Sequence, residues 1–127
     1  MEYGLSKTVS LSFEQAIEKI TDELKKEGFG ILTEIDVKET LKNKLNIDFR
    51  KYKILGACNP PIAYKALELE ENIGLLLPCN VIVYEKENKC VVSIFNPLVM
   101  TKLIDKKELA AIAEEVKQKL QNALDRV

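Results

Sequence analysis

Leu109, Ile112, Ala113, Val116, Leu120 and Leu124 recur at helical spacing near the C-terminal end of the sequence. They form one apolar stripe over about five turns of α-helix. Glu114, Glu115, Lys117 and Lys119 take the opposite side. A helix of this kind is marginal alone in water, and packing of its stripe supplies most of its stability. The rest of the chain must therefore provide a sheet to receive it, or a second subunit must. Asp105 and Glu108 have the spacing of a capping box at its start.

The upstream sequence supplies strands. Tyr3, Leu5, Val9 and Leu11 share one parity, interrupted by Lys7, while Ser6, Thr8 and Ser10 take the other. That two-residue period predicts a strand with one wet face. Ser12 and Gln15 then form a capping box before a helical stripe of Phe13, Ala16, Ile17, Ile20 and Leu24, and Gly28 is a good stop. Residues 29–35 read as a second strand. Asp36 and Glu39 open a short helix whose buried side is marked by Leu41 and Leu45. Residues 53–58 read as a third strand. Asn59 caps a third helix, and Pro60 stands where a missing amide costs nothing.

Residues 74–85 read as a long apolar strand interrupted by Pro78. Proline cannot donate to a ladder, so Pro78 marks an edge, a bulge or a strand start. A turn at residues 86–89 leads into a strand at 90–95, which predicts an antiparallel hairpin. Residues 98–104 give no clear period. The order is thus strand, helix, strand, helix, strand, helix, hairpin, helix. With 127 residues, 46% hydrophobic and 31% charged, the expectation is a single α+β domain over residues 1–127. It is a two-layer domain, a mixed fold with a mainly single sheet of about five strands covered by helices. Strand order is not readable at this level.

Composition removes several functions. The chain has no histidine, so one copy cannot build a Ser-His-Asp triad, a Cys-His pair or a histidine-containing zinc site. Nineteen basic side chains face twenty acidic ones, a net charge of −1, which gives no support for nucleic-acid binding. The basic zone of Lys42, Lys44, Arg50, Lys51 and Lys53 reads as ordinary solvated surface. The most apolar run, residues 74–83, is too short for a membrane-spanning helix. Three cysteines without a visible secretory signal fit a reducing cytoplasm. No cofactor is implied.

Two segments, residues 54–64 and 72–84, contain no charge, and they hold Cys58 and Cys79. Cys58 directly precedes a helix start, where unpaired amides favour a thiolate or another anion. Gly56 allows close backbone approach, and Asn59 fixes the path of the chain into the helix. A Cys58–Cys79 disulfide would need Cα atoms about 4.4–6.8 Å apart. Two thiolates alone would leave a tetrahedral metal site short of ligands, so no metal site is assigned. Cys90 reads as an ordinary strand residue.

Residues 55–67, Leu-Gly-Ala-Cys-Asn-Pro-Pro-Ile-Ala-Tyr-Lys-Ala-Leu, and residues 73–85, Ile-Gly-Leu-Leu-Leu-Pro-Cys-Asn-Val-Ile-Val-Tyr-Glu, resemble two signatures of one bacterial and archaeal family. That family is known as domain of unknown function number 302. The resemblance covers nearly the whole chain. It implies a small two-layer α+β fold that commonly forms a homodimer, and no established reaction. By position, Cys58 and Cys79 match the family's two cysteines. Some relatives are fused to sulfur-transfer or redox domains, which brings thiol chemistry into view.

The leading expectation is a cytoplasmic homodimer that binds a small ligand or a protein partner near Cys58, Asn59 and Cys79, with Gly56 beside them. The ligand expected is a small thiol, a sulfur-bearing molecule or an anion. One alternative is a thiol enzyme, with Cys58 as nucleophile and Cys79 as resolving thiol. The other is a purely structural or protein-interaction domain.

Overall fold

The computed structural model describes residues 2–127. Strands β1 (Gly4–Val9), β2 (Gly30–Asp36), β3 (Tyr52–Cys58), β4 (Cys79–Lys86) and β5 (Lys89–Phe95) form one sheet in the order β1-β5-β4-β3-β2. Every neighbouring pair is antiparallel. The α-helices are α1 (Phe13–Lys26), α2 (Val37–Leu45), α3 (Pro60–Leu69), α4 (Met100–Leu103) and α5 (Lys107–Asp125). The fold is therefore α+β, with a five-stranded sheet covered by helices.

Helix α1 begins as its sequence requires. The Gln15 N–H donates to Ser12 Oγ at 3.1 Å, and the Ser12 N–H donates to Gln15 Oε1 at 3.1 Å. Phe13, Ala16, Ile20 and Leu24 bury its inner side. They pack with Leu55, Ala57, Val81, Val83, Val92 and Ile94 of the sheet and with Val116, Leu120, Ala123 and Leu124 of α5. The stripe of α5 is thus received by the sheet and by α1. A second, smaller cluster joins Ala66, Ile73, Met100 and Leu109.

One charged side chain lies inside this packing. Glu23 is 1% exposed. Lys26 and Lys19 approach its carboxylate at 2.8 and 3.1 Å, and Arg126 closes on its other oxygen. Arg126 also meets Glu27 at 3.0 Å. The end of α5 is therefore clamped to α1. From the other side, Lys7 Nζ donates to the carbonyls of Asp125 and Val127 at 3.2 and 2.6 Å.

Several local expectations change. Residues 74–76, expected to begin the strand, belong to a 3₁₀ helix over Glu71–Leu76, and β4 starts at Cys79, directly after Pro78 and the cis Leu77–Pro78 bond. Proline punctuates the run, and a short apolar stretch reads equally as helix or strand. Helix α2 buries no residue, and Leu45 is 61% exposed. Its spacing marked a side, but the helix lies at the margin of the fold. Helix α5 starts at Lys107 with no side-chain cap, so Asp105 and Glu108 do not form the capping box. The strand at 29–35 appears as Gly30–Asp36, with a bulge between Ile31 and Thr33 that breaks its alternation.

Candidate functional site: an apolar cavity beside Cys58

Cys58 ends β3, and α3 begins two residues later. The turn between them is held by Asn59. Its Oδ1 accepts the Ile62 N–H at 3.4 Å, and its Nδ2 donates to the Glu27 carbonyl at 3.4 Å. Gly28 sits against this amide with φ +86°, and a Cβ there would stand 2.9 Å from Asn59 Nδ2. The Asn59 side chain therefore ties the start of α3 to the turn between α1 and β2.

The first turn of α3 offers little to an anion. Pro60 and Pro61 have no N–H. The Ile62 N–H goes to Asn59 Oδ1, and the Ala63 N–H goes to the Asn59 carbonyl at 2.9 Å. The expected cradle of free amides is absent because proline removes two donors and the cap consumes the third.

A cavity of about 340 Å³ opens on the helical side of the sheet end. Ala57 and Cys79 form its floor, Cys58 is also among its lining residues, and Phe29 and Leu32 close one side. Helix α3 contributes Ile62, Ala63, Ala66 and Leu67, and α5 contributes Leu109, Ile112, Ala113 and Val116. Leu77, Pro97 and Met100 complete the wall. The cavity lies where the two apolar clusters meet, since Phe29, Ala57 and Cys79 belong to the larger and Ile73, Met100 and Leu109 to the smaller. Its size suits a small molecule.

The two cysteines expected at the site both line it, in different settings. Ala57 and Cys79 are cross-strand partners and share the core face of the sheet. Cys58, one residue on, alternates away from that face and is partly exposed, whereas Cys79 is buried. All three cysteines are free thiols. Burial, with a smaller contribution from the neighbouring Cys58, pushes the Cys79 thiol up to about 11. Cys90 is buried in β5, and its thiol is raised by desolvation first and then by Glu85 and Glu14. It does not line the cavity.

Gly56 stands apart from the cavity. Its place is filled by protein: a Cβ there would lie 2.2 Å from Thr33 Oγ1 and 2.7 Å from Pro78 Cγ. The close backbone approach that glycine permits is made by β2 and by the residue before β4. Among the described residues, no three Cys, Asp or Glu side chains are grouped to hold a metal ion. No helix among them is long and apolar enough to cross a membrane.

Cys58, Asn59 and Cys79 stand out in the sequence and line the cavity, whereas most of its wall carries no sequence signal of a site. Leu109, Ile112 and Ala113 carried only the signal of a helix stripe, and Met100 lies in the stretch with no clear period. No motif joins them, because the cavity is assembled from five separate parts of the chain.

No curated protein matches the chain. A solved structure described as an uncharacterized conserved protein DUF302 from Bacillus stearothermophilus is similar over 99% of this chain and 98% of that one, with 30% identity and a TM-score of 0.92. The family model described as domain of unknown function DUF302 matches residues 5–127. The cavity, the Asn59 cap and both of its cysteines fall within that match, and the chain belongs to the DUF302 family.

Proposed function

We propose that this protein is a homodimeric binding domain whose small-molecule ligand occupies the cavity between α3, α5 and the ends of β3 and β4. The observation that carries this reading is the cavity itself. It is of ligand size, it separates two well-packed clusters, and Cys58 and Cys79 both line it. The thiol-enzyme reading has weaker support. A thiol at about 11 is ionised in only about one molecule in ten thousand at neutral pH, which makes Cys79 a poor resolving nucleophile. The first turn of α3 also lacks the amides that would stabilise a developing negative charge. The three free thiols fit a reducing compartment.

The second sheet face supports the dimer. It carries the cross-strand row Ile35, Ile54, Ile82, Ser93 and Ser6, and beside it Tyr52, Tyr84, Val91 and Thr8. None of these is charged. Tyr52 and Tyr84 stack at 5.2 Å with their planes 9° apart. Such a face can meet its own copy across a two-fold axis, sheet on sheet. Light scattering should give a dimer mass, and Tyr84→Lys should give a monomer. A monomer mass for the parent protein would remove the dimer from this proposal.

The ligand site is tested by amide NMR with a panel of thiols, anions, metal ions and neutral apolar compounds. At least one compound should shift the signals of Cys58, Ile62 and Ala63 saturably. Silence at all three across the whole panel would overturn the binding reading.

A further inference from the structure

The polar inventory of the cavity carries an inference about its ligand, and it rests on the binding reading above. Among the residues lining it there is no Asp, Glu, Lys or Arg. Asn59 is one of two polar lining side chains besides the cysteines, and both ends of its amide are engaged. Thr101 is the other, and its hydroxyl donates to the Leu98 carbonyl at 2.6 Å. A charged group entering this space would leave water and find no partner, at a heavy desolvation cost. Hydrocarbon entering it would exchange water for Ile62, Leu109 and Ile112. Leu32 and Leu67 line the cavity while 67% and 40% exposed, so apolar surface continues out to solvent where it opens.

We propose that the cavity takes an uncharged small molecule of mainly hydrocarbon character, its functional group no more polar than a hydroxyl, carbonyl or thioether. Of the ligands expected, a small thiol, a sulfur-bearing molecule or an anion, the anion is the less favoured kind, because no charged side chain lines the wall to compensate it.

The test is calorimetric titration of the whole protein near neutral pH with 1-octanol, octanoate and octylammonium, which share a chain and differ in charge. The alcohol should bind roughly tenfold tighter than either ion or better. Ala63→Leu, which narrows the cavity, should weaken the alcohol. Leu67→Lys, a change at a position 40% exposed, should narrow the gap between octanoate and octanol. Equal or tighter binding of octanoate or octylammonium by the parent protein would overturn the ligand class and leave the site standing. So would failure of all three chains while a thiol or inorganic anion shifts the signals of Cys58 and Ile62. Failure of the chains together with silence from every other compound would overturn the site as well.

Discussion

Asn59 Oδ1 accepts the N–H of Ile62, and that bond takes up a donor at the start of α3, which borders the cavity. The same side chain reaches the Glu27 carbonyl across the fold. One residue therefore caps α3, anchors the turn at Gly28 and removes an anion site. Asn59→Ala should lower stability by about 1 kcal/mol, the usual cost of a lost cap, or about 4 °C in Tm for a domain of this size. Thermal unfolding checks this. Asn59→Asp should retain most of the cap and lose the donor to Glu27, so its Tm should fall between the two.

Glu23 ties acid stability to the α1–α5 clamp. Hydrogen bonds from Lys26 and then Arg126 hold its carboxyl at about 2, against the ordinary 4.5, with desolvation opposing them. Its folded pKa is depressed, so its stabilisation is complete above about 4.5 and is lost as pH falls from there towards about 2. Tm measured across that window should drop for the parent protein and drop less for Glu23→Gln. Parallel curves for the two would show that the clamp carries no proton linkage.

Much of this architecture was legible because it rests on local rules. The Ser12–Gln15 capping box, the stop at Gly28 and the Asn59-Pro60 helix start each depend on residues a few positions apart. The α5 stripe was legible for the same reason, and Pro78 was legible as a break in the apolar run, with edge, bulge and strand start left open. The features that failed depend on distant neighbours. Residues 74–76 are 3₁₀ helix rather than strand, and Leu45 stays in water, because packing decides such cases. Gly56 allows a close approach, and the side chains that make it are Thr33 and Pro78, from two other segments. The anion site failed by a simple count: the prolines that mark the helix start also lack the donors an anion needs. Strand order and the cavity wall were beyond local pattern altogether.

The three thiols should differ in reactivity in the order of their exposure. Cys58 is partly exposed, and Cys79 and Cys90 are buried with raised thiols. Alkylation near neutral pH, read residue by residue by mass spectrometry, should label Cys58 first. Cys58→Ser should remove the fast phase. Labelling of Cys79 should stay slow and keep accelerating as pH rises towards about 11. Fast labelling of Cys79 at neutral pH would revive the resolving-thiol mechanism.

Entry of an uncharged apolar ligand between α3 and α5 is followed at the cavity wall itself by methyl NMR during a 1-octanol titration. Saturable shifts are expected at the methyls of Ala63, Ala66, Leu109 and Ile112, which line the cavity, with Ile35, Ile54 and Ile82 on the far sheet face unmoved. Shifts confined to those three isoleucines, or none that saturate at the cavity, would contradict it.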